Sequence, residues 1–79
     1  MRSLTERIQL AKTVLHELSR QPLSRTELEK RTVRKYGTHA TFEGIFTFLV
    51  KGGYVQKNGT NHRAAYALTE KGAKFLEVI

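Results

Sequence analysis

Nine basic side chains lie between Arg20 and Arg63, namely Arg20, Arg25, Lys30, Arg31, Arg34, Lys35, Lys51, Lys57 and Arg63. Only Glu27, Glu29 and Glu43 oppose them, so this segment carries six of the seven excess positive charges of the chain. A cluster of fixed cations neutralises a polyanion, and nucleic acid is the first candidate. A basic surface that merely aids solubility would not favour one segment. The two ends of the chain, with five bases and four acids, are nearly balanced.

Other chemistries find less support. Gly52-Gly53 follows a helical pattern and lacks the Lys-Ser/Thr of a phosphate-binding loop. His16 and Glu17 are adjacent on a helix and point to different faces. Most of the seven acids stand on helix surfaces beside Lys or Arg, and no Ser-His-Asp set or carboxylate pair assembles. With no Cys, and with His16, His39 and His62 far apart, neither a disulfide nor a structural zinc site is expected. The residues therefore point to a binding protein without cofactor or metal, and not to an enzyme.

Seventy-nine residues, 39% hydrophobic, make one small domain over 1–79 with a core of limited size, for which self-association is the remaining source of stability. The densest apolar run, Ile45 to Val50, is too short to span a membrane. The first residues lack the apolar stretch of a signal peptide, and a cytoplasmic location is expected.

These side chains need elements to carry them. Leu4, Ile8, Ala11, Leu15 and Leu18 recur at helical spacing, with Leu10 and Val14 beside the stripe, and Ser3 to Glu6 form a capping box. A first helix over about 4–19 follows, and Pro22 stops it. Ser24-Arg25-Thr26-Glu27 caps a second helix that buries Leu28 and Thr32 or Val33, ends near Tyr36 and finds its C-terminal cap at Gly37. Thr38 caps a third, with Phe42, Ile45, Phe46 and Leu49 on one face, ended by Gly52-Gly53. Tyr54 to Lys57 and Ala64 to Leu68 read as hairpin strands around Asn58-Gly59. Thr69 caps a last helix containing Ala73, Phe75, Leu76 and Ile79. The order is helix, helix, helix, strand, strand, helix, an α+β domain.

Three stretches give this layout a family likeness: Leu23 to Leu28 opening the second helix, Phe48 to Val55 leading into the hairpin, and Tyr66-Ala67-Leu68-Thr69-Glu70-Lys71-Gly72 leaving it. From about Ile8 onward the chain resembles the winged helix-turn-helix superfamily, and within it small transcription regulators of the PadR and MarR type and their short archaeal relatives. The Tyr-x-Leu-Thr-x-x-Gly exit is the most distinctive piece. The second helix and its turn, through Arg34 to Gly37, look longer than in the shortest members, which blurs where the recognition helix starts. The resemblance implies double-stranded DNA as the partner, with a recognition helix at about 38–51 in the major groove and a wing at 57–63 on the backbone or minor groove.

The residues themselves agree with that assignment. At about 100° per residue, Ala40, Gly44, Thr47 and Lys51 fall opposite the apolar face of the third helix. The small side chains of Ala40, Gly44 and Thr47 would let the helix sit deep in a groove about 12 Å wide. The competing explanation is that Ala40 and Gly44 pack against another protein helix. Thr38, His39 and Thr41 stand at the helix start as further base or phosphate contacts. Arg25, Arg34 and Lys35 would flank the groove and neutralise phosphates. At the hairpin tip Asn61, His62 and Arg63, with Lys57 behind them, would meet the minor groove, where negative potential is focused. Apolar residues in excess of one core, Leu4, Leu10, Val14, Phe75, Val78 and Ile79, point to a homodimer through the terminal helices. A winged-helix adaptor that binds protein, its basic surface incidental or aimed at an acidic partner, is the second reading. RNA binding lacks aromatic support.

Overall fold

The computed structural model describes residues 4–33, 38–61 and 63–79. Six elements follow one another: α1 (Leu4–Arg20), α2 (Arg25–Val33), α3 (His39–Lys51), β1 (Val55–Lys57), β2 (Tyr66–Leu68) and α4 (Glu70–Val78). The capping residues act as their types predict. The Glu27 N–H donates to Ser24 Oγ at 3.2 Å, the Thr41 N–H to Thr38 Oγ1 at 3.3 Å, and the Gly72 N–H to Thr69 Oγ1 at 3.0 Å. The expected Ser3 capping box, the end of the second helix near Tyr36 and its Gly37 cap lie outside the described residues.

The core gathers around α1, which packs against α2, α3, α4 and β2. Leu10, Val14, Leu15, Leu28, Phe42 and Leu49 are fully buried, and Leu18, Leu23, Phe46 and Val55 nearly so. Thr32 is the buried polar residue of α2, and its hydroxyl donates to the Leu28 carbonyl at 2.8 Å. The third-helix register expected from the sequence holds, with Phe42, Phe46 and Leu49 inside and Ile45 half-buried. The assignment on α1 needs correcting. Leu10 and Val14, expected at a dimer interface, are wholly enclosed within the chain, whereas Leu4 is 69% and Ile8 40% exposed. A helix surrounded on several sides buries a wide arc rather than one stripe, so the second apolar line serves the same core.

The hairpin is antiparallel, with Val55 opposite Leu68, Gln56 opposite Ala67 and Lys57 opposite Tyr66. Its strands are shorter than the sequence pattern predicts, Val55–Lys57 and Tyr66–Leu68 in place of 54–57 and 64–68. Within the tip the Asn58 N–H donates to the Ala65 carbonyl at 2.8 Å, and the Arg63 N–H to Asn61 Oδ1 at 2.8 Å. Leu23 adds a bridge on the other edge of Tyr66, each N–H donating to the other's carbonyl, at 3.2 and 2.7 Å. The link before α2 thereby ties the hairpin to the helices, a pairing that period and propensity do not signal.

The exit from the hairpin has a physical explanation. The Thr69 hydroxyl donates to the Gly53 carbonyl at 2.6 Å, and Lys71 Nζ donates to the Gly52 carbonyl at 2.7 Å while lying 4.9 Å from the Tyr54 ring centre. Gly72 is buried so closely against Tyr54 that a Cβ would collide with its carbonyl oxygen. Gly53 takes φ +79° in the turn out of α3, a conformation that favours glycine. Thr-x-x-Gly is therefore the clamp that holds the start of α4 against the turn between α3 and β1.

Candidate nucleic-acid interface

α3 carries the candidate interface, and its surface divides into three strips. Ala40, Gly44, Thr47 and Lys51 form the outermost strip, and all four are exposed. Among the described residues, no atom outside the helix's own nearby backbone lies within 4 Å of the place a Cβ on Gly44 would occupy, so none of them accounts for a glycine there. One flank faces α2. On that side Arg25 forms an ion pair with Glu43 and lies 5.7 Å from the ring centre of Phe46. His39 Nδ1 lies 2.5 Å from Glu29 Oε2, and its Nε2 lies 3.6 Å from Glu43 Oε1.

The other flank faces α1 and α4 across an apolar cleft of about 500 Å³. Leu4, Ile8 and Ala11 line it from α1, Phe75 from α4, and Ala40, Thr41, Gly44, Ile45 and Phe48 from α3. Arg7 is the charged residue among the lining. Phe48, 52% exposed, stacks on Tyr54 at 5.7 Å, and Tyr54 stacks on Phe75 at 4.6 Å. This aromatic row joins the end of α3 to α4.

Several candidate residues have partners of their own. Thr38 and Thr41 share the N-terminal cap of α3, their hydroxyls 3.2 Å apart. Lys57 is half-buried, with its ammonium 6.0 Å from the ring centre of Tyr66. Arg63 and Asn61 are exposed at the hairpin tip. Arg34, Lys35 and His62 lie outside the described residues. Of the remaining candidates for a dimer contact, Val78 is 78% exposed, while Phe75 and Ile79 are half-buried against the core. Sequence reasoning missed the ties that hold Arg25 and His39, because Glu29 sits ten residues from His39 on another helix. The i, i+4 spacing of His39 and Glu43 was the one signal available.

No protein-family model matches the chain, and no curated protein does. Among solved structures, the crystal structure of SSV1 F-93 superposes with a TM-score of 0.68 at 23% identity, over 87% of this chain and 78% of that one. The fold is thus the α+β winged helix-turn-helix, with β1 and β2 as the wing. Among the described residues no helix is long and apolar enough to cross a membrane.

Proposed function

We propose that this chain is a double-stranded DNA-binding transcription regulator acting as a homodimer. The carrying observation is the outer strip of α3, where Ala40, Gly44, Thr47 and Lys51 stand uncovered. A helix that needed only to complete the core would not keep glycine at an open interior position, where it costs roughly 1 kcal/mol relative to alanine. Small side chains, a hydroxyl and a cation on that strip suit a helix seated in the major groove. Arg63 at the wing tip supplies a phosphate or minor-groove contact, and Arg34, Lys35 and Lys57 add to the positive field. Arg25 serves once it leaves Glu43.

The dimer reading rests on Leu4, Ile8 and Phe48, exposed apolar side chains that line one cleft together with Phe75, and on exposed Val78 and half-buried Ile79 at the end of α4. Contiguous exposed apolar surface of this kind marks an interaction site. Twofold symmetry would then present two α3 helices about 34 to 36 Å apart, or a multiple of it, to a rough palindrome. The same cleft favours the second reading, an adaptor that receives another protein. A shift assay with random duplex DNA at graded salt separates the two. With about five phosphate contacts per subunit, log K should fall with log salt at a slope of about −4 to −5. Absence of binding at low salt, or binding indifferent to salt, leaves the adaptor.

A further inference from the structure

Two of the three acids in the basic middle of the chain converge on one imidazole. Glu29 belongs to α2, while His39 and Glu43 stand one turn apart on α3 and so share a face. One ligand atom from each of the three lies within 4.8 Å of the others. This is a mixed set of one nitrogen and two carboxylate oxygens drawn from two helices. Glu29 and Glu43 are partly sheltered, with side chains 26% and 37% exposed, whereas His39 is 70% exposed and leaves the outer side open to water.

The donor types decide which ligand this arrangement suits. Two carboxylates balance a doubly charged cation, and an imidazole nitrogen favours a first-row transition metal over calcium or magnesium, which take oxygen ligands in larger number. Zinc bonds nitrogen and oxygen at about 2.0 to 2.2 Å and accepts three protein ligands with water as the fourth. Glu29 faces Nδ1 of His39 and Glu43 faces Nε2, so binding one ion would require the partly exposed side chains to turn until both carboxylates meet the same ring nitrogen.

We propose that Glu29, His39 and Glu43 form a binding site for a divalent cation of the zinc type, which clamps α2 to the first turn of α3. Such a cation competes with the Arg25 guanidinium for the Glu43 carboxylate, so its binding loosens Arg25 from α3. The site stands independently of the DNA reading, since its ligands and its test involve no nucleic acid.

The test is titration of the whole chain, freed of metal with a chelator, by Zn²⁺ in a calorimeter and by Co²⁺ in the visible spectrum. One ion per chain should bind in the micromolar range, Co²⁺ should show ligand-field bands, and Zn²⁺ should raise the melting temperature. H39A and E29Q should each weaken binding by more than about a hundredfold, beyond what loss of an outer hydrogen-bond partner costs, while retaining the helical circular dichroism of the parent. H16A, which alters an exposed histidine on α1, should bind as the parent does. No binding at millimolar Zn²⁺, full affinity in H39A, or loss in H16A in its place would each overturn the site.

Discussion

The two flanks of α3 belong to one helix of thirteen residues yet are finished in different ways. Toward α2 the surface is closed by charge, with Arg25 on Glu43 and His39 between Glu29 and Glu43. Toward α1 and α4 it is apolar and open, a cleft between Leu4, Ile8, Phe48 and Phe75. Partly exposed ion pairs contribute little to stability, with a median of about 0 to 1 kcal/mol, so the polar flank chiefly sets orientation. Each large apolar side chain on the other flank stands to gain about 1.5 to 3 kcal/mol when fully covered. On the polar flank the charges already meet partners within the chain, and the apolar flank is the place where a further protein surface adds most.

The largest effect comes from dissolving what both flanks rest on. Leu49 lies on the buried face of α3, and Leu49→Ala should cost about 2 to 5 kcal/mol through lost burial and the cavity left behind. Urea unfolding followed by circular dichroism measures it, and an unchanged midpoint would contradict the packing of α3. Next comes the open flank alone. Phe48→Glu or Leu4→Glu places a charge on the apolar surface and should dissociate the proposed dimer, weakening it by roughly ten- to a hundredfold for the burial of one such side chain. Helical content should be kept, because both residues are exposed. Sedimentation equilibrium at micromolar concentration reads the outcome, and a parent mass near 9.0 kDa would remove the dimer from the proposal.

Smaller effects distinguish the strip between the flanks from the polar flank itself. Gly44→Ala should raise stability by about 0.8 to 1 kcal/mol, since the added methyl meets open space and gains helix propensity. The same change should weaken duplex binding if the helix backbone approaches a groove there. A variant that is both more stable and fully competent in the shift assay would take Gly44 out of the interface. Glu43→Gln should leave stability within about 1 kcal/mol of the parent, release Arg25, and raise affinity for duplex DNA at low salt by a few fold. Arg63→Ala should lower the salt slope by about 1 and weaken all sequences alike, whereas Thr47→Ala should change preference among them.

Element order, three helix caps and the α3 register were legible in the sequence, because each depends on interactions within a few residues. Thr38 and Thr69 cap whatever helix follows them, and the spacing of Phe42, Phe46 and Leu49 marks one face without reference to a neighbour. The composition likewise determined a basic middle segment with little acid to oppose it. Tertiary structure alone decided which apolar residues were surplus. Leu10 and Val14 were enclosed and Leu4 and Ile8 left outside, since the arc that α1 buries depends on how many elements surround it. The same holds for the edge pairing of Leu23 with Tyr66, and for the meeting of Glu29 with His39 and Glu43. Each joins residues from separate elements, and local periodicity carries no term for the distance between two elements once the chain has folded.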